Sequence, residues 1–482
     1  MIDHQRCLGN HLSCDAVTIS LLRGTVQDTK CRLPRDYLLP HPTQISDSMF
    51  ANRDQDRRLF LKAAAASAAI ATTNQLAAQD TKQEKESPAE KIVVGIMGCN
   101  GRGGAISKGM MARPNTEIGF ICDVDTRASD RVASYAEKTQ GKRPKVTTDF
   151  RKVLDDSDID VLVCAAPNHW HAPATILGCA AGKHVYVEKP CSHTPAEGEM
   201  AVAAARKHNR VVQMGTQRRT WPGIVEAVKK IHDGEIGQAI YARSWYNNRR
   251  GTIGKGKQVQ VPDWLDWDLW QGPSTRRPFK DNVVHYNWHW HWHWGNGELG
   301  NNGVHGLDVA RWALQVDFPK RVTVGGGHYR HEDDQETPDT LMVTYDFPGK
   351  KTITWEGLSW SPQGSHDSGF GISIHGTNGA IVIKGNGYTQ FNDARKEVAS
   401  GNGAVGDSDH FQNFLDCVRS GNRPNADIEL AHQSTLLCHL GNIAYRTEGL
   451  LNTDPKNGHI LGQEKAQQMW TKEYAAGWEP KV

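Results

Sequence analysis
The chain has 482 residues, more than one hydrophobic core usually serves, so two domains are expected. A formal net charge of +2 argues against nucleic acid or an anionic membrane as the main partner, and 38% hydrophobic residues fit a soluble globular protein. The ten cysteines include no C-x-x-C pair, and Cys99, Cys122, Cys164 and Cys179 stand in apolar segments, so buried free thiols are expected rather than disulfides.

Residues 1–48 show neither helical nor strand periodicity and are read as a non-native leader, with translation starting at Met49. Asp56-Arg57-Arg58-Leu59-Phe60-Leu61-Lys62 then precedes an uncharged Ala-rich run ending at Ala77-Ala78. Paired arginines before such a run make a twin-arginine export signal over 49–78, which predicts a periplasmic protein. The run is too short and too weakly apolar to span a membrane. Residues 79–90 read as a polar linker.

From Lys91 the pattern changes to alternation. Lys91–Met97 predicts a strand, Gly98-Cys99-Asn100-Gly101-Arg102-Gly103-Gly104 a glycine-rich turn, and a helix follows before a second strand that ends on Asp123. Gly98, position 100 and Gly103 have G-x-G-x-x-G spacing, with Asn100 in place of the central glycine and Asp123 20 residues past Gly103. Asn tolerates positive φ better than most residues, so the turn is expected to survive. Such a turn lets backbone approach a pyrophosphate at a helix N-terminus, and the acid accepts from a ribose hydroxyl. Further strands at Ile159–Ala165, Lys183–Val187 and Arg210–Met214, with helices between, predict a doubly wound parallel sheet over 91–215.

Two motifs at predicted strand ends, Pro167-Asn168-His169-Trp170-His171 and Glu188-Lys189-Pro190, join that turn. Together they resemble the N-terminal domain of the glucose–fructose oxidoreductase, inositol dehydrogenase and rhizopine-catabolism (Gfo/Idh/MocA) family. The similarity continues through Gly300-Asn301-Asn302-Gly303-Val304-His305-Gly306-Leu307-Asp308 and His410–Tyr445. The resemblance implies a Rossmann domain followed, over 216–482, by an α+β substrate domain with an open, mainly antiparallel sheet. Strand-like runs at Ala239–Tyr246, Arg321–Gly326, Thr340–Asp346, Lys351–Glu356, Gly371–His375 and Ala380–Ile383 agree, and helical periodicity at the C-terminal end is expected to pack beside the nucleotide domain.

The resemblance also assigns roles. Lys189 is the expected catalytic lysine, with Pro190 after a cis bond, and His305 the second catalytic residue. Asn301 stands where the family motif usually has Asp, which leaves open whether His305 is the base or chiefly a substrate binder; Asp308, one helical turn on, is the expected alternative source of charge. Cofactor contacts are expected from Gly98, Asn100, Gly101, Arg102, Gly103, Asp123, Pro167, Asn168, His171, Glu188 and Lys189. NAD is favoured over NADP, because Asp123 repels a 2′-phosphate, and tight binding is expected.

Tryptophan is abundant, 15 in all, and His285–Trp294 alternates His with Trp. Read as an extended chain, its Trp side chains share one face for stacking on sugar rings and its histidines the other. Zinc on His289, His291 and His293 is the alternative; the resembled family is metal-free, and no metal is expected. Substrate contacts are assigned to Gln217, Trp288, Trp290, Asn301, His305 and Asp308, with Arg218, Arg219, Arg249 and Arg250 as further polar candidates. The reading is therefore an exported oxidoreductase acting on a sugar or polyol hydroxyl, working as a homo-oligomer. An NAD-dependent glycosidase acting through transient oxidation and elimination is a second reading, and a non-catalytic sugar-binding protein a third.

Overall fold
In the computed structural model, which describes residues 91–447 and 449–482, the alternating apolar runs become a parallel sheet. The leader, the export-signal pattern and the linker lie outside the described residues. Strands β1 (Ile92–Met97), β2 (Thr116–Cys122), β3 (Lys145–Thr147), β4 (Val161–Cys164), β5 (His184–Val187) and β6 (Val212–Met214) lie in the order β3-β2-β1-β4-β5-β6. Val94, Ile96, Val161, Val163, Val185 and Val187 are fully buried, as strands covered on both faces require. The strand order reverses between β1 and β4, so a crevice opens at the carboxyl ends of those strands.

Helices α1 (Gly101–Met111), α2 (Thr126–Gln140), α3 (Asn168–Ala180) and α4 (Pro195–Lys207) fill the crossovers. Their ends follow local chemistry. The Asp125 side chain caps α2 by accepting from the Arg127 N–H, and Gly141 closes it in the left-handed region. Thr194 and Glu197 form a reciprocal capping box at the start of α4, where Pro195 costs no hydrogen bond.

The second sheet is built from β7 (Ala239–Asn247), β8 (Arg321–Gly327), β9 (Thr340–Phe347), β10 (Lys351–Leu358), β11 (Phe370–Gly376), β12 (Gly379–Lys384), β13 (Gly387–Asn392), β14 (Glu397–Asn402) and β15 (Leu450–Asn452). Its order is β14-β13-β12-β11-β7-β10-β9-β8-β15, antiparallel except for the β7–β10 pair. Helix α5 (Pro222–His232) packs on β12, β13 and β14, and α6 (Val304–Leu314) on β7, β10 and β11. After α7 (Ser408–Ser420), α8 (Ile428–Arg446) touches α4, α6 and β8 together, so one buried helix ties the two sheets. Phe411 and Phe414 of α7 join the core cluster of β1 and α1.

The His/Trp stretch is not extended. Asn287–Trp290 forms a 3₁₀ turn, so residues two apart do not share a face. Trp267, Trp270 and Trp294 instead converge with Phe279, Leu265 and Val283 into a small core of their own. Trp267 stacks on Trp270 at 4.7 Å, and Trp294 meets both edge-on at 5.6 and 5.4 Å. Such contacts stabilise by about 0.5–1.5 kcal/mol each beyond area burial, so packing claims most of these indoles. Cys99, Cys122, Cys164 and Cys179 are buried free thiols.

Candidate active site
The crevice is a cavity of about 560 Å³ whose floor is the glycine turn. Gly98 takes φ +85°, and a Cβ there would lie 2.6 Å from the Ala166 nitrogen at the end of β4. A Cβ on Gly103 would lie 1.7 Å from the Gly98 carbonyl oxygen, so α1 can sit against the turn only with glycine there. Asn100, expected to adopt positive φ, has φ −80° instead, and the left-handed demand falls on Gly98 and on Gly101 at φ +39°. The Asn100 side chain makes no cap; its Oδ1 accepts from Arg131 at 3.0 Å. The start of α1 therefore keeps uncapped N–H groups beside the cavity, an arrangement suited to a pyrophosphate.

Asp123 lines the same cavity, and its carboxylate accepts from the Cys99 N–H at 2.5 Å and the Asp125 N–H at 2.8 Å. It thereby fastens β2 to the glycine turn, a structural duty that sequence alone did not reveal. Burial raises its pKa above the ordinary 3.8 against those hydrogen bonds. Nearby, Arg127 is committed: Asp125 accepts from it at 3.0 and 2.9 Å, and its guanidinium lies 3.5 Å over the Trp264 ring.

Lys189 follows β5, and the Lys189–Pro190 bond is cis. Its Nζ donates to both the backbone and side-chain oxygens of Asn301, each at 2.8 Å. Asn301 occupies a π-helical turn, Leu299–Gly303, just before α6. Burial lowers the Lys189 pKa from its ordinary 10.5, with Glu188 and Glu298 opposing. Glu188 in turn accepts from Arg102 at 2.8 Å, and Arg102 also donates to Asp407 at 2.5 Å. His171 places one ring nitrogen 2.5 Å from the Pro190 carbonyl and the other 2.7 Å from that of Ala166, bracing the lysine turn against β4.

His305, in the first turn of α6, lines the cavity with its Nδ1 enclosed and without a partner among the described residues. Burial first, then the charges of Lys189, Arg218 and Arg102, push its pKa well below 6.5, so the ring is neutral. Asp308 does not supply the expected charge. It is 1% exposed, outside the cavity lining, and gripped by Arg219 through contacts of 2.8 to 3.0 Å, with Ser434 donating at 2.7 Å. A partner 89 positions away, rather than the neighbour on its own helix, claims it.

Of the other candidates, Gly98, Asn100, Gly101, Arg102, Asp123, Pro167, Asn168, His171, Glu188, Gln217, Trp288 and Asn301 line the cavity. Gly103 lies behind the turn it packs on. Trp290 is buried away from the cavity, 4.7 Å beneath the Arg250 guanidinium, and Arg250 is paired with Glu298. Arg218 lies over Trp221 and Phe370, and Arg249 is exposed. The wall that sequence reasoning missed includes Phe150 and Trp270, while His285, Tyr286 and His289 of the stretch expected to meet sugar, and Trp170 of the strand-end motif, do line the cavity. His289 stacks on Trp288 at 3.6 Å, while the Trp170 indole and the His169 ring both meet the Trp270 carbonyl at 3.0 Å. Among the described residues no group of three or more His, Cys, Asp or Glu is placed to hold a metal ion.

Comparison with known proteins agrees with this architecture. Residues 92–216 match the family described as "Oxidoreductase family, NAD-binding Rossmann fold", and residues 236–480 match "Oxidoreductase family, C-terminal alpha/beta domain". An uncharacterized oxidoreductase, YrbE of Bacillus subtilis, is 34% identical over 149 residues, covering 31% of this chain and 42% of that protein. Levoglucosan dehydrogenase of Pseudarthrobacter phenanthrenivorans is 29% identical over 258 residues, 49% of this chain and 58% of that one. The chain thus spans about half the length of these relatives. The crystal structure of aldose-aldose oxidoreductase from Caulobacter crescentus, complexed with glycerol, superposes with a TM-score of 0.59 at 19% identity, over 75% of this chain and 99% of that chain, a likeness of fold.

Proposed function
The chain belongs to the Gfo/Idh/MocA oxidoreductase family, and from that premise we propose that it oxidises a hydroxyl-bearing carbon of a sugar or polyol with a nicotinamide dinucleotide held in the cleft. The observation that carries this reading is the convergence of the glycine turn, Lys189, Asn301 and His305 on one cavity. The residues present fit the cofactor: the turn's glycines admit backbone where any Cβ would collide, and Gly101 has open space before it. When bound, the dinucleotide supplies the hydride acceptor. The chain's own groups handle the oxygen. Lys189, oriented by Asn301, donates to the substrate oxygen and stabilises developing negative charge, and the neutral His305 ring takes the proton. Conversion of a sugar, sugar pair or glycoside by the purified protein, lost in Lys189→Ala, tests the proposal.

The pKa directions set the pH profile. Protonating His305 removes the acceptor, and its value lies below 6.5, so the acid limb of kcat/KM should fall below pH 6.5. Losing the Lys189 proton removes the donor, and its lowered value puts the alkaline limb below pH 10.5. An acid limb at or above pH 6.5 contradicts the assignment of His305.

NAD is the proposed cofactor. A 2′-phosphate at the end of β2 would meet the Asp123 carboxylate, while Arg127 is already held by Asp125 and Trp264. Nucleotide extracted from the purified protein should be NAD, and NADP alone in the extract would overturn this.

The finer proposal is that the nucleotide stays with the enzyme and the hydride returns within each catalytic cycle, either to the oxidised carbon of the same molecule or to the carbonyl of a second sugar. Segment 264–289 supports it by roofing the cleft: the Asp266 N–H donates to the Val124 carbonyl at 3.0 Å, and His285 lies 3.0 Å from Asp125. The twin-arginine pattern supports it too, since export of a folded protein carries its nucleotide to a compartment without a replenished pool.

A further inference from the structure
A second cavity, of about 390 Å³, shares no lining residue with the cleft. It lies among His193, Trp292, Asn296, Arg446 and Lys472, with Arg277 and Glu473 also in its lining. Its size is within the range of small-ligand sites. Nothing in the redox reading uses it.

The chemistry of its lining is specific. The Lys472 ammonium sits 2.7 Å from the Glu197 carboxylate and 3.1 Å from His193 Nδ1. His193 Nε2 faces the carbonyl oxygens of Trp292 and Gly295 at 3.1 and 3.3 Å, so Nε2 carries the proton and Nδ1 accepts from the lysine. Burial keeps that ring neutral by pushing its pKa well below 6.5. Two of the three ammonium N–H groups are thus used, and the third has no acceptor among the described residues. The Asn296 Nδ2 donates to the His193 carbonyl at 3.0 Å, which fixes the amide's orientation. Its Oδ1 is then a buried acceptor with no donor among the described residues, on a residue that is 5% exposed. Arg446 rests 5.0 Å over the Trp292 ring and has no carboxylate within ion-pair distance among the described residues. Arg277 has a loose contact with Glu336, at 3.7 Å, and lies 5.9 Å from the Trp294 ring centre.

We propose that this cavity binds a small hydroxy-carboxylate of the acid-sugar kind. Its carboxylate takes the free donors of Lys472 and Arg446, a hydroxyl donates to Asn296 Oδ1, and its C–H face rests on Trp292. Charge favours the acid through Arg446, which has no carboxylate partner among the described residues, whereas Lys472 is paired with Glu197 and Arg277 lies near Glu336. The orphan amide oxygen selects a ligand carrying a hydroxyl donor over a bare anion. The site also adjoins the catalytic turn, since a Cβ on Gly300 would touch Asn296 Cβ at 2.4 Å and Pro190 Cγ at 3.6 Å.

The test is calorimetric titration of the full chain with D-glucuronate, D-glucose and inorganic phosphate. Glucuronate should bind at one site at least tenfold more tightly than glucose or phosphate. Arg446→Gln, a surface change, should weaken it tenfold or more without altering nucleotide content, and Trp292→Leu should do the same. Binding should persist in Lys189→Ala and His305→Ala, which places it outside the cleft. No heat with millimolar glucuronate, equal binding of phosphate or glucose, or binding lost in Lys189→Ala yet unchanged in Arg446→Gln would each overturn the proposal.

Discussion

Replacing Lys189 by alanine is expected to lower kcat by about 10²–10³-fold, the usual loss when a donor aimed at developing oxyanion charge is removed. The ammonium is held by two Asn301 oxygens at 2.8 Å and sits in a buried site, so it needs no reorganisation as charge develops. Water admitted to the space cannot reproduce a fixed cation. Nucleotide binding should survive, because the glycine turn and Asp123 are fastened to one another rather than to the lysine. His305→Ala is expected to lose activity similarly, through the proton acceptor. Single-turnover rates with equal nucleotide content in each variant check this; a Lys189→Ala protein that keeps wild-type kcat removes the assigned role.

The second large effect is on stability. Arg219 and Asp308 are 5% and 1% exposed at their side chains and paired by three hydrogen bonds. Asp308→Ala leaves a buried guanidinium uncompensated, which costs about 3–5 kcal/mol. Replacing both residues by apolar ones of similar volume removes the stranded charge and should recover most of that loss. Urea unfolding of the nucleotide-bound proteins measures both variants. Because Asp308 lies outside the cleft, the folded fraction should retain its turnover; a stable protein with impaired chemistry would mean that the residue acts on substrate after all.

The parts legible in the sequence are those the chain builds locally. The run from β1 through the glycine turn and α1 to Asp123 is consecutive, and its period and punctuation carried the nucleotide site. Lys189 and His305 were reached through motifs rather than periodicity, since nothing local marks a lysine after a strand as buried. Non-local facts were misread for an identifiable reason. Asp308 stands three residues from His305, yet its geometry is decided by Arg219 on a remote turn. The His/Trp alternation suggested an extended strand, but burying Trp267, Trp270 and Trp294 together turned the chain into a 3₁₀ bend. Strand β14, with half or more of its side chains exposed, lacks the apolar alternation that marks its neighbours. Helix α5 did carry a readable stripe, Ile224, Ala227, Val228 and Ile231, which pattern reading passed over.

The central claim is sugar redox chemistry by a nucleotide that remains in the cleft. It is tested most directly by purifying the protein without added cofactor, supplying candidate sugars, sugar pairs and glycosides, and following products together with absorbance at the reduced-nicotinamide band. Steady turnover with no added nucleotide and no accumulating reduced form is the predicted result, and the products distinguish oxidation of a sugar from cleavage of a glycoside. Activity that depends strictly on added NAD, with an equal amount of reduced NAD released into solution, would contradict the retained cofactor; no change in any sugar, with or without nucleotide, would contradict the redox assignment itself.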